Sequence, residues 1–158
     1  ITFMNSLTNS AIDFYSCFIS HSSKDQVFAE RLFADLQGNN VRCWYAPHHM
    51  EIGAPILNEI DSAIRLHDKL LLILSENSVG SRWVEHEVLS ATSKEYQQER
   101  DARTLFPIRL DDAVMDTNVQ WARNLKETRH IADFTGWKDH DRYKVAFDRL
   151  LRDLKGKS

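Results

Sequence analysis

Short apolar runs alternate with amphipathic stretches along the chain, the pattern of repeated β–α units feeding a parallel sheet. The first predicted strand is Asp13 to Ser20 (DFYSCFIS), almost continuously apolar as a strand covered on both faces should be. His21-Ser22-Ser23 breaks it. A helix follows, with Phe28, Leu32, Phe33 and Leu36 at helical spacing and Gly38 placed as its C-cap. Strand two is Val41 to Tyr45, ended by Ala46-Pro47. The next segment, Pro47 to Pro55 (PHHMEIGAP), lacks periodicity and is long for a βα connection, which assigns it to function. A second helix places Ile56, Ile60, Ala63 and Ile64 on one face. Strand three, Lys69 to Leu74, is closed by Ser75 to Ser78, and a third helix runs from about Ser81, its N-cap, to Tyr96. Strand four is Leu105 to Leu110, where Pro107 predicts an edge position or a bulge. Asp111 to Lys126 reads as irregular with one short helix near Trp121. Strand five is Arg129 to Phe134. The last helix, Asp141 to Leu154, carries Tyr143, Phe147, Leu150, Leu151 and Leu154 as its apolar stripe.

Five strands joined by right-handed helical crossovers predict an α/β fold: a flavodoxin-like, doubly wound, five-stranded parallel sheet of order 2-1-3-4-5, flanked by helices. In that order the topological switch lies between strands one and three. Ligands bind there, at the carboxyl ends of the strands. His21 to Ser23 and Ser75 to Ser78 are therefore expected to flank a cleft overhung by the Pro47 to Pro55 loop. The domain is expected over residues 12–155, with 1–11 as a leader or linker and 156–158 as a tail.

Composition narrows the function. The 158 residues, 42% hydrophobic and 27% charged, are those of one ordinary globular domain. A net charge of −3, with Lys and Arg dispersed among acids, gives no basic stripe for nucleic acid. No membrane association is expected, since the longest apolar run is Leu70 to Leu74. The opening ITFMNSLTNS lacks the basic start and apolar stretch of an export signal. Cys17 and Cys43 read as reduced thiols in buried strands, which fits a cytoplasmic setting.

Glycines stand only at 38, 53, 80, 136 and 156, so neither GxGxxG nor a P-loop can be written, and GxSxG is absent too. His48-His49 is read as a solvated loop pair, so no metal is expected. A phosphoacceptor receiver needs clustered acids after strand one, where this chain has Ser20-His21-Ser22-Ser23.

The third helix (SRWVEHEVLSAT) is left. At about 100° per residue, Val84, Val88 and Ala91 form its inward stripe, with Glu87 on the margin, Trp83 one turn earlier on the same edge, and Glu85 and His86 outward. On spacing alone the ordinary reading of Glu87 is a boundary residue reaching water or Arg82. Its place beside the predicted cleft supplies the other reading, since a carboxylate on an apolar edge is costly unless it is paired or serves a site.

These segments together resemble the Toll/interleukin-1 receptor (TIR) domain family. DFYSCFISHSSKD is similar to the family's opening motif, and VRCWYAPHHMEIG to its second strand and BB loop. LLLILSENSVGSRWVEHEV is similar to its third strand and following helix, and LFPIRLDD to its fourth strand. The likeness covers about Asp13 to Leu154. Some family members are scaffolds that associate through the domain; others, including bacterial ones, cleave NAD+. The enzymes use the glutamate four residues after the tryptophan, which is Glu87 here. The resemblance further implies substrate contacts from Ser22 and Ser23 in the turn after strand one, from Glu51 before the BB-loop glycine, and from Trp83 near the nicotinamide. Some relatives carry basic residues where this chain has those serines, so hydroxyl and backbone N–H contacts are expected in their place. His21 flanks the same cleft. Tyr45 and Trp83 offer aromatic faces for stacking, whereas Trp44 is assigned to core packing.

The function expected is an NAD+ glycohydrolase of the nucleosidase or ADP-ribosyl cyclase type, an effector of bacterial immune defence. NAD+ is its substrate and no cofactor is required. Partners are expected to be other TIR domains by homotypic self-association through the Pro47 to Pro55 loop. The alternatives are a non-enzymatic TIR scaffold in signalling, and a nucleotide-signal binder without turnover.

Overall fold

The computed structural model describes residues 16–45, 69–80, 84–89, 91 and 105–155. β1 (Ser16–Ser20) is followed by a 3-10 turn (Ser23–Asp25) and α1 (Gln26–Gly38). β2 (Arg42–Tyr45) and β3 (Lys69–Leu74) come next, then a helix, α2, seen at residues 84–89 and 91. β4 (Leu105–Arg109) leads to α3 (Ala113–Asp116) and α4 (Gln120–Thr128). β5 (Ala132–Asp133) and α5 (His140–Leu154) complete the chain. All pairings are parallel, in the order β2-β1-β3-β4-β5, as the sequence pattern predicts.

Both faces of the sheet are covered, and period-two alternation sorts each strand between them. Cys17 and Ile19 of β1, Leu71 and Ile73 of β3, and Phe106 and Ile108 of β4 pack beneath α1 and α5. Phe18, Leu70, Leu72, Leu74 and Leu105 face the opposite layer, with Val84, Val88 and Ala91 of α2 and Trp121, Ala122 and Leu125 of α4. Two hydrophobic cores thus fix the sheet, and burial on this scale is the main force holding such a fold. On the first face α5 is tied to α1. The Tyr143 hydroxyl donates to Asp35 Oδ2 at 2.7 Å, and the Arg31 guanidinium lies 3.6 Å from the Tyr143 ring centroid. Burial, with Asp35 beside it, pushes the Tyr143 phenol up.

Four expectations change. Gly38 is the last residue of α1 and Asn39 caps it; the left-handed residue is Asn40, at φ 70°. Asparagine tolerates that region because its short polar side chain bonds locally. Pro107 is neither at a sheet edge nor in a bulge: it pairs in register with Leu72, and β4 lies between β3 and β5. Leu110 N–H bonds to Leu74 O while Arg109 O accepts from Phe134 N–H, so odd-numbered positions of β4 face β5. β5 pairs only with Ile108 and Arg109, and the N–H that proline lacks falls where no ladder partner reaches.

Asp111 to Lys126 holds two helices where one was expected. Asp111 starts the first by accepting from Ala113 N–H at 2.9 Å, and its other oxygen accepts from Glu76 N–H at 2.9 Å, tying the turn to the end of β3. Strand five is two residues long, much shorter than Arg129 to Phe134.

The strand start at Asp13 to Tyr15, the loop Pro47 to Pro55, the helix carrying Ile56 to Ile64, and the helix ends at Ser81 and Tyr96 lie outside the described residues. So do residues 1–11 and 156–158. Among the described residues no helix is long and apolar enough to cross a membrane.

Candidate active site

Alternation along β1 decides which groups meet at its carboxyl end. Phe18 faces the α2 layer, so Ser20, two residues on, projects to that same side. On α2, Val84, Val88 and Ala91 point at the sheet and Glu87 stands at the edge of that stripe, about 60° round from Val84. The two polar side chains meet: Ser20 Oγ donates to Glu87 Oε1 at 2.5 Å. Glu87 is only 1% exposed, which makes it far more deeply buried than a residue on the helix margin. An acid reaching water therefore does not describe it, and Arg82, the other partner expected for it, lies outside the described residues. Burial pushes its carboxyl up from the ordinary 4.5 to about 7, and the Ser20 hydrogen bond pulls it partly back. A carboxyl that changes charge near neutrality is suited to a reacting site. Of the residues expected outward, Glu85 is exposed and His86 is half-buried.

The turn after β1 shows a division of labour. His21 lies on the other side of the strand, its Nε2 3.0 Å from Gln26 Oε1 at the start of α1. The half-buried Ser22 caps the 3-10 turn, its hydroxyl oxygen accepting from Lys24 N–H at 3.2 Å. Ser23 is exposed. Trp44 packs against Phe18, ring centroids 4.7 Å apart, in the core role expected for it. The Tyr45 side chain, Glu51 and Trp83 lie outside the described residues, as do His48 and His49. Among the described residues no cluster of three or more His, Cys, Asp or Glu could hold a metal ion.

The two turns at the switch point are clasped together by Asp25, a residue sequence reasoning passed over. Its carboxylate, 9% exposed, accepts from Ser75 Oγ at 2.5 Å and from Asn77 Nδ2 at 3.1 Å. Ser75 Oγ in turn accepts from Asn77 N–H at 3.0 Å, and Ser78 Oγ accepts from Ser75 N–H at 2.9 Å. The segments expected to flank the cleft are thereby held in fixed relation. Asp25→Ala strips the acceptor from a buried hydroxyl and an amide, and should cost about 1–3 kcal/mol. Urea denaturation checks this, and a midpoint unchanged from wild type would show that the clasp carries no stability.

Ser20 was the other omission. Its signal was present in the sequence, since period two pairs it with Phe18 on the face that the helix after strand three must cover. A separate cavity of about 1070 Å³ lies between β4, β5 and α5, and its lining includes Leu105, Arg129, Asp133 and Arg149. Neither Glu87 nor Ser20 lines it. It reaches the amino end of β4, whereas Ser20 closes the carboxyl end of β1. The buried Ser20–Glu87 pair at the switch point is the candidate site, and the cavity lies apart from it.

Fold and site together define a doubly wound α/β domain with two acids, Asp25 and Glu87, buried at its switch point among the described residues. The chain matches the TIR domain family model over residues 17–151, and it belongs to that family. It is 28% identical over 95 residues to the NAD(+) hydrolase TcpC of Escherichia coli O6:H1, a stretch covering 60% of this chain and 30% of that protein. It is 29% identical over 82 residues to the 2' cyclic ADP-D-ribose synthase AbTIR of Acinetobacter baumannii, covering 51% of this chain and 30% of that one. In each case the match takes in under a third of the relative's length.

Among solved structures, the fold is shared with the TIR domains of the activated Roq1 resistosome recognising the effector XopQ. That likeness has a TM-score of 0.55 at 20% identity, over 91% of this chain and 85% of that one. A prokaryotic SEFIR domain gives a TM-score of 0.60 at 16% identity, over 87% and 96% of the two chains.

Proposed function

We propose that this domain cleaves NAD+ to nicotinamide and ADP-ribose, or a cyclic isomer of it, with Glu87 as the catalytic carboxylate. The observation that carries the reading is the burial of Glu87 against Ser20 at the carboxyl end of β1. Support comes from the two bacterial relatives, whose names state NAD+ hydrolysis and cyclic ADP-ribose synthesis.

The chemistry asks for one anion. The bond between ribose C1' and the pyridinium nitrogen breaks, and its electron pair neutralises the ring, so nicotinamide leaves without a general acid. Positive charge develops on the ribose. A carboxylate fixed in a poorly hydrated place stabilises that charge far better than water does. Water, or a hydroxyl of the same molecule, then bonds to C1' and gives up a proton, which a carboxylate can take. Ser22, Ser23, Tyr45, Glu51 and Trp83 are proposed to hold the nucleotide, with NAD+ as substrate and no separate cofactor.

Glu87 is covered in the state described, so the nucleotide reaches it only when the covering groups move. Self-association with other TIR domains, involving the Pro47 to Pro55 loop, is the proposed trigger. The setting proposed is the cytoplasm of a bacterial cell, as an immune-defence effector, which suits two free thiols at Cys17 and Cys43. Closure over Glu87 is also the observation that favours a non-enzymatic scaffold. Domains that bind one another while NAD+ stays intact would decide for that reading.

The active form is the anion, and the Glu87 carboxyl is raised to about 7. Activity should therefore be low at pH 5.5, rise through pH 7 and level off above pH 8. Initial rates of nicotinamide release across that range check it; a flat profile, or one falling with pH, would remove Glu87 from the role.

A further inference from the structure

Ser20 is more than a neighbour of Glu87. We propose that Ser20 is the positioning residue of this site, its hydroxyl holding the Glu87 carboxylate in one rotamer as a hydrogen-bond acceptor. The inference rests on the NAD+-cleaving reading for its functional meaning, but the contact itself stands on geometry. Ser20 is the last residue of β1, paired with Leu72 of β3, so its backbone is fixed by the sheet and its hydroxyl by the strand's alternation. Glu87 Oε1 lies 2.5 Å away across the junction of sheet and α2. An acid on a helix has several rotamers, and a donor anchored in the neighbouring strand selects one.

No charged group among the described residues of the surrounding elements takes over this task. Among the described residues, Lys69 of β3 lies over the Phe106 ring, its Nζ 5.4 Å from the centroid. Arg109 of β4 contacts Asp112 at 2.6 Å and Asp133 at 3.4 Å. In the turns, His21 meets Gln26, and Asp25 accepts from Ser75 and Asn77. Glu76 follows β3, Asp116 is in α3, and Arg123, Lys126 and Glu127 are in α4; Glu85 and His86 share α2 with Glu87. Burial raises the Glu87 carboxyl and the Ser20 hydrogen bond lowers it, burial being the larger of the two.

The test compares wild type, Ser20→Ala and Ser20→Thr, each as the whole chain. The Glu87 carboxyl is titrated by carbon-13 NMR, its signal assigned by its loss in Glu87→Gln. Removing a hydrogen bond to a charged group should raise the Glu87 midpoint by about one pH unit or more in Ser20→Ala. Ser20→Thr, which keeps a hydroxyl on a strand-favouring residue, should restore it. In parallel, nicotinamide release by Ser20→Ala should fall roughly fivefold at pH 7 and recover largely at pH 9, as that shift requires. A Glu87 midpoint unmoved by Ser20→Ala, or moved equally in Ser20→Thr, overturns the inference. If the midpoint moves as expected while wild type releases no nicotinamide, the Ser20–Glu87 pairing is upheld and the NAD+-cleaving reading is what fails.

Discussion

Glu87→Ala should lower nicotinamide release by on the order of 10²–10³ or more, the loss typical of deleting a preorganised electrostatic group. The magnitude follows from where the charge sits. A carboxylate in bulk water is already solvated and gains little from a nearby sugar cation, because the solvent screens it. Glu87 is 1% exposed and, among the described residues, accepts from Ser20 alone, so its negative charge is poorly screened when the ribose becomes cationic. The effect should fall on kcat, since the interaction strengthens as charge develops in the transition state. KM should change much less. Initial-rate kinetics separate the two, and a variant that raised KM alone would mark Glu87 as a binding group.

The same burial predicts an opposite effect on stability. The Glu87 carboxyl stands at about 7 in the folded chain against an ordinary 4.5. The fold therefore prefers the protonated form. The group costs nothing below pH 4.5, costs progressively more between 4.5 and 7, and imposes its full penalty above. At about 1.4 kcal/mol per pH unit that penalty is at most ~3.5 kcal/mol. Glu87→Gln is neutral at every pH and keeps an oxygen to accept from Ser20. Its Tm should exceed that of wild type by roughly 5–10 °C at pH 8.5 and match it near pH 4. Thermal unfolding at the two pH values reads this directly, and an equal Tm at pH 8.5 would show that the acid is not strained by its setting. A residue that lowers stability while raising activity is what a functional site is expected to contain.

Much of this arrangement was legible in the sequence because period and length carried it. β3 is found over the same residues, Lys69–Leu74, that its unbroken apolar run marks out. The sheet order followed from the alternation of strands and helices. The turn after β1 and the Ser75 to Ser78 turn were expected on either side of one cleft, and Asp25 joins them there. That clasp was not readable, since its partners lie 50 and 52 residues apart.

Pro107 is tolerated inside the sheet because a proline is costly only where its missing N–H would face a partner. In a parallel strand only alternate N–H groups face a given neighbour, and β5 begins one position too late to need this one. Helical angles put Glu87 on a margin because they describe direction, not depth. A polar partner from β1 allows an acid to sit fully inside, and such a partner is invisible to the helix's own spacing. The helix near Trp121 is α4, where spacing puts it; α3 is the one spacing does not show, because four residues are too few to display a helical period. Asp111, accepting from Ala113 N–H, and the buried Val114 fix it instead.

The central claim is that Glu87 is the group that makes this domain an NAD+-cleaving enzyme. Wild type and Glu87→Gln should be incubated side by side with NAD+ at pH 8, at protein concentrations that drive self-association, and free nicotinamide measured over time. Sustained release from wild type and background release from Glu87→Gln, with both chains folded, is the result expected of the proposed function. Equal release from the two, or none from assembled wild type, would contradict it.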